Sequence, residues 1–285
     1  MPIVIGSNLF ASRVQFGMDR TGEKLLSVSH SLSTGSDLSI YGEMGARLTL
    51  ADRLRTQTKV ATVALRNANE GLSYIATADA ALSEMQDILT RMAELANQGA
   101  NTTFTSAQRS TLQLEFSALG SEIDRISAAA TFNGQNTISS GSDLTLQVGI
   151  TGGAESSIII QSVVATVQAL GIGTESGELS YSISAATSDL SVTASRLAFS
   201  ALLNAQDSLA LKRGTLGAVA NRLAIAVDYL TASRENYMAA ESAVRDADIA
   251  RDIAEFTRLQ VLQQAQTALL AQANQIPSLV LKLLE

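Results

Sequence analysis

The sequence has no cysteine and no tryptophan, a single histidine and two prolines. Without cysteine there is no disulfide, no thiolate-ligated zinc and no thiol nucleophile. The histidine, His30, lies in the run SVSHSLS with no neighbouring Asp or Glu to orient it. A hydrolase-type relay needs such an oriented base, so His30 reads as a polar residue on a helix face. Proline occurs only as Pro2 and Pro277, so nothing in residues 3–276 must stop a helix for want of an N–H. Aromatics make up 4% of the chain. A core of Ala and Leu suits long helices laid side by side better than a globule centred on aromatic rings.

Charge excludes more. The net charge is −7 and no cluster of Lys and Arg appears, which argues against a nucleic-acid partner. The start MPIVIGSNLF has neither a basic region nor a cleavage motif, so no conventional signal peptide is visible. Leu259 to Leu281 is uncharged but carries Gln260, Gln263, Gln264, Gln266, Gln272, Asn274 and Gln275. These amides need partners that lipid does not supply, so a membrane span is not expected. No Gly-rich phosphate loop is present. Asp246 and Asp248 are two residues apart and do not share a helix face, so they read as surface ion pairs or a helix start. No catalytic, cofactor-binding or metal-binding residue is predicted, no cofactor is expected, and the chain reads as a non-enzyme.

What is present is helical periodicity. Residues 7–33 read as a weakly amphipathic helix, interrupted by Gly35, Gly42 and Gly45. Over 46–97, Ile75, Ala78, Leu82, Met85, Leu89, Met92 and Ala96 recur at alternating spacings of three and four. That is the a/d seam of a coiled coil. Gly99 is the expected stop. Thr105 and Gln108 fit a capping box for a helix over 106–128, with Leu112, Phe116, Leu119, Ile123 and Ile126 on one stripe.

The middle of the chain has a different period. Asn133-Gly134 signals a turn. Leu144, Leu146, Val148 and Ile150 alternate with polar residues or Gly, and Ser157 to Ile160 completes an expected hairpin. Residues 163–170 are expected as a short helix and 178–184 as a strand. Helix resumes at Ser188-Asp189. Leu216, Ala220, Leu223, Val227 and Leu230 mark its seam. A last stripe runs through Leu262, Ala265, Leu269, Ala273, Ile276 and Val280. The fold class expected is mainly α: a long antiparallel helical coiled-coil rod with a small β-hairpin region in the middle of the chain.

Three stretches resemble one family. LRNANEGLSYIATADAALSEMQDILTRMAELANQGAN (Leu65–Asn101) and SEIDRISAAATFNG (Ser121–Gly134) resemble the N-terminal half of bacterial flagellins. VRDADIARDIAEFTRLQVLQQAQTALLAQANQIPSLVLKLL (Val244–Leu284) resembles their C-terminus. The resemblance implies a structural subunit that polymerises into the helical flagellar filament used for motility, in a short form without large outer domains. A hook–filament junction protein is the alternative.

The implied organisation assigns 1–45 to the N-terminal part of an inner coiled-coil core domain and its connecting loop. Residues 46–130 would be the N-terminal helices of a rod domain, and 131–188 its β-hairpin-rich segment. Residues 189–240 would be its C-terminal helix, and 241–285 the C-terminal helix of the core domain. One stretch departs from the family: LSTGSDLSIYGEMGAR (Leu32–Arg47) lacks the usual pattern of basic residues and paired acids.

The resemblance also implies partners: copies of the chain itself and other flagellins, an export chaperone, a filament cap protein and hook–filament junction proteins. It implies an extracellular location, reached by flagellar type III export without a cleaved signal. Ends this poor in charge should be largely disordered until neighbours cover them. Subunit packing is expected at Ile3, Ile5, Leu9, Leu262, Ala265, Leu269, Ala273, Ile276 and Val280. A patch matching the one that Toll-like receptor 5 recognises on many flagellins comprises Arg91, Glu94, Leu95 and Glu115, with Ala93 where Arg is common.

Overall fold

The computed structural model describes residues 8–38, 45–139, 141–174, 177–185 and 187–284, with backbone alone from 276 onward. Five α-helices are seen among the described residues: α1 (Leu9–Thr34), α2 (Gly45–Gly99), α3 (Ser106–Ala129), α4 (Ser188–Arg245) and α5 (Ile249–Leu284). Two small hairpins lie between α3 and α4: β1 (Thr131–Phe132) with β2 (Gln135–Asn136), and β3 (Leu144–Gln147) with β4 (Ser157–Ile160). The chain divides into two compact units. One comprises residues 1–58 with 235–285 and the other residues 59–234, so the division falls inside α2 and α4.

The core belongs to the unit of residues 59–234. Ile75, Ala78, Leu82, Met85, Leu89, Met92 and Ala96 are all buried. Facing them on α4 are Ser191, Ser195, Ala198, Leu202, Ala205 and Leu209, then Leu216, Leu223 and Leu230. This is a heptad seam matched to a heptad seam. The two helices run antiparallel: Gln206 Nε2 donates to Thr90 Oγ1 at 3.2 Å, and Arg213 pairs with Asp79 at 2.7 Å. Close approach sets residue size at two places. A Cβ on Gly99 would stand 2.8 Å from Ser195 Oγ, and one on Gly120 would stand 2.8 Å from Leu179.

α3 starts at the capping box, where Thr105 Oγ1 accepts from Gln108 N and Gln108 Oε1 accepts from Thr105 N. Its Phe116 and Ile123 complete the core. The β1–β2 turn places Asn133 at φ 51° and Gly134 at φ 77°, the left-handed pair that a two-residue hairpin requires. Tyr74 meets Phe132 edge to face at 5.9 Å and fixes this hairpin on α2. In the second hairpin Leu146 pairs with Ile158 and Leu144 with Ile160; Ile158 and Ile160 are buried, while Ile159 faces out.

Two expected elements do not form. Residues 163–170 are not helical but extended and then turned. Val163, Ala165 and Val167 are buried alternately, a strand period, and the N–H groups of Ala165 and Val167 find partners outside the segment. Ala165 N donates to Ile138 O and Val167 N to Asp124 Oδ1. Residues 178–184 form no strand beyond the single bridge of Gly173 with Leu179. Their backbone is held partly by main chain, where Ser180 N donates to Ile172 O, and partly by side chains: Gln113 Oε1 accepts from Ile183 N, and Ser195 Oγ donates to Ile183 O.

Candidate assembly faces

In the unit of residues 1–58 and 235–285, α1 pairs antiparallel with α5. Asn8 reaches Ala273 at one end and Ser31 reaches Asp252 at the other, where Ser31 Oγ donates to Asp252 Oδ2 at 2.6 Å. Asp248 caps α5 by accepting from Arg251 N, and Asp246 accepts from Ser242 Oγ. The two acids therefore shape the end of α4 and the start of α5.

Little is buried between these helices. Among the described residues of the unit, only Thr21, Ala51, Asp252, Leu259 and Ala273 are buried. Leu9, Phe10, Phe16 and Leu26 on α1 are exposed, as are Ile253, Val261, Leu262 and Leu269 on α5. Amphipathic helices normally bury such side chains. Of the expected packing residues, Leu9, Leu262, Ala265 and Leu269 are open to solvent, while Ala273 is already covered inside the chain. Ile3 and Ile5, and the side chains of Ile276 and Val280, lie outside the described residues.

The segment that departs from the family pattern has its own bonds. Gly35 ends α1 at φ 67°. Asp37 N donates to Arg245 O, and Ala247 N donates to Gly35 O. Arg47 pairs with Asp37 at 2.9 Å and donates to Val244 O at 2.9 Å. Sequence reading did not find this connection, because Arg47 and Val244 are almost two hundred residues apart and neither belongs to a periodic stripe.

The four residues of the expected receptor patch do not share one environment. Arg91 Nε donates to Glu115 Oε1 at 2.8 Å, and its Nη1 donates to Glu94 Oε2 at 2.9 Å. Glu115 first, and Glu94 second, hold the Arg91 guanidinium above its ordinary range. Those three side chains are accessible, whereas Leu95 is fully buried in the α2 seam. Among the described residues no group of three or more His, Asp or Glu could hold a metal ion, and no helix is long and apolar enough to cross a membrane.

Long seamed helices, with a terminal pair that leaves many apolar side chains uncovered, have the architecture of a structural subunit. Residues 5–143 match the family described as bacterial flagellin N-terminal helical region, and residues 200–284 match the bacterial flagellin C-terminal helical region. A flagellin of Halalkalibacterium halodurans is 34% identical over 99% of this chain and 100% of its own length. One of Bacillus subtilis is 36% identical over 89% of this chain and 90% of its own. The crystal structure of Bacillus cereus flagellin has a TM-score of 0.47 and 24% identity, covering 58% of this chain and 88% of that one. The chain belongs to the bacterial flagellin family, in a short form without a large outer domain.

Proposed function

We infer that this chain is a structural subunit of a bacterial flagellar filament and works by packing rather than by catalysis. One observation carries the reading: among the described residues, the α1–α5 pair leaves Leu9, Phe10, Phe16 and Leu26 on α1 and Ile249, Ile253, Val261, Leu262 and Leu269 on α5 exposed. Covering a Leu or Phe contributes about 1.5–3 kcal/mol. A neighbouring copy that covers several of them stabilises both the contact and the helices that carry it. A contact repeated without closure builds an open helix. The junction-protein alternative gains no support from relatives that are named as flagellins.

The purified chain, seeded with filament fragments, should sediment as long helical polymers above a critical concentration and appear so by electron microscopy. A chain that stays monomeric at every concentration, seeds included, would overturn the reading.

The same reading gives the partners. Copies of this chain and other flagellins are the polymer, while an export chaperone, the cap protein and the hook–filament junction proteins meet it before and during assembly. Its place is the extracellular flagellum, reached without cleavage of a signal. The intact mass of the chain taken from filaments tests this last point, since a shortened N-terminus contradicts it. Recognition by Toll-like receptor 5 would rest on Arg91, Glu94 and Glu115, Leu95 being buried. A receptor reporter assay on monomer should respond and should weaken with Arg91→Ala. Silence at saturating protein removes the receptor from the list of partners.

A further inference from the structure

Within the unit of residues 59–234, a hollow of about 650 Å³ opens where the end of α2 and the chain after it face the early turns of α4. Ligand sites typically measure about 300–1,000 Å³. One wall carries Asn97, Gln98, Asn101 and Phe104, and the other Arg196, Phe199 and Ser200. Both phenylalanines are half-buried, so each ring keeps part of its surface open, while the polar side chains are exposed.

The rim is held from behind. Asn101 O accepts from Arg109 Nη2 at 2.9 Å and from Phe104 N at 3.4 Å. Arg109 is buried, and its Nη1 donates to Ser188 Oγ at the start of α4, so one guanidinium ties both walls together. Asn101 Oδ1 accepts from Thr103 N, which leaves its Nδ2 donors for an outside partner. Among the described residues, the side chains of Asn97, Gln98, Arg196 and Ser200 make no hydrogen bond, and Arg196 belongs to none of the ion pairs. No acidic residue lines the hollow.

We propose that this hollow binds a carboxylated saccharide of the uronic-acid class. A guanidinium with no competing acid selects a carboxylate and grips it through two parallel N–H bonds. Three carboxamides and a serine hydroxyl set donors and acceptors around it. Sugar hydroxyls, each donor and acceptor at once, satisfy such a set, whereas a simple aromatic carboxylate brings nothing for it. The apolar C–H face of a sugar ring rests on Phe104 or Phe199. Because Arg109 fixes the rim beforehand, little ordering cost falls on binding. The proposal stands apart from the filament reading, since none of these residues lies on α1 or α5.

Digalacturonate and its uncharged counterpart galactobiose, which differ only in the carboxylates, are titrated into the full-length monomer by calorimetry and by ligand-observed nuclear magnetic resonance. Digalacturonate should bind at least tenfold more tightly than galactobiose. Arg196→Gln should weaken it at least tenfold at unchanged circular dichroism, because that side chain is exposed and holds nothing in the fold. Phe199→Ala should weaken both sugars alike. No binding of millimolar digalacturonate, equal binding of the two sugars, or full affinity in Arg196→Gln overturns the proposal. Phenylpropanoate, a carboxylate without hydroxyls, should bind at least tenfold more weakly than digalacturonate; equal affinity overturns the assignment to a saccharide.

Discussion

Asn8 donates its side-chain amide to the main-chain carbonyl of Ala273 at 2.9 Å, and Ala273 stands four residues before Pro277. In an α-helix that carbonyl would accept from the N–H of residue 277, which proline does not have. Asn8 supplies the missing donor. The other end of the same amide, Oδ1, accepts from Ala11 N and caps α1. One side chain therefore starts the first helix and repairs the last.

Asn8→Ala should remove both bonds. Loss of an N-cap costs about 0.5–2 kcal/mol, and the Ala273 carbonyl is stranded as well. Hydrogen exchange across α1 and α5 should quicken, while exchange in the seam around Leu82 and Leu89 stays unchanged. Equal acceleration in both places contradicts the local role given to Asn8.

Two glycines of the 59–234 unit should respond in opposite directions to Ala. Gly214 lies inside α4 with nothing within 4 Å of the added Cβ, so Gly214→Ala should stabilise by about 0.8–1 kcal/mol from helix propensity. Gly120 lies inside α3 under Leu179, whose side-chain carbons would stand 2.8–2.9 Å from the new atom. Displacing Leu179 opposes the same gain, and overpacking of this kind costs about 1–3 kcal/mol. Urea midpoints should rise for Gly214→Ala and fall for Gly120→Ala.

Gln113 holds the extended stretch before α4. Its Oε1 accepts from Ile183 N at 2.7 Å and from Ser182 Oγ at 3.0 Å. Gln113→Ala leaves the N–H of the buried Ile183 without a partner, a cost of about 1–3 kcal/mol. Urea unfolding should show that loss, and proteolysis near residues 182–187 should quicken. A variant with wild-type stability would mean that this acceptor is replaceable.

Acid should loosen the helices through their surface pairs. Hydrogen bonding from Arg125 holds the Glu122 carboxyl below its ordinary value of 4.5, and Arg258 does the same for Glu255. A depressed folded-state pKa gives stability that is present above the unfolded value and lost as pH falls through the folded one. Both pairs are solvent-exposed, so the effect is small and weaker in salt. Helicity monitored from pH 6 to pH 2 should decline less steeply in Glu122→Gln with Glu255→Gln than in the unmodified chain. Identical slopes would show that these pairs do not contribute to acid sensitivity.

The elements legible in the sequence are those whose partners lie within a few residues or repeat regularly. The α2 seam from Ile75 to Ala96 could be read because a narrow apolar stripe has one physical meaning on a helix. Thr105 with Gln108, and Asn133 with Gly134, were legible because each motif satisfies its backbone within four residues. Residues 163–170 misled because Ala165 N and Val167 N find partners on Ile138 and Asp124, which no local pattern reveals. Leu95 was placed in the receptor patch, with Arg91, Glu94 and Glu115, by resemblance to other flagellins. Its burial is set by packing in the core, not by those charges.

By itself the sequence determined the helical period, the starts of α3 and α4, and the family. The period and the helix starts follow from contacts between residues close along the chain, and the family from resemblance over long stretches. Only the tertiary structure decided which apolar side chains are covered and which stay open: on α4, Leu202, Leu209 and Leu216 are buried while Leu190, Leu197 and Leu211 are exposed, though the residue type is the same. It also decided where stranded groups find partners: Ala273 O with Asn8, Ile183 N with Gln113, Arg47 with Val244. Those bonds join residues scores to hundreds of positions apart, and a chain carries no local mark of a partner at that distance.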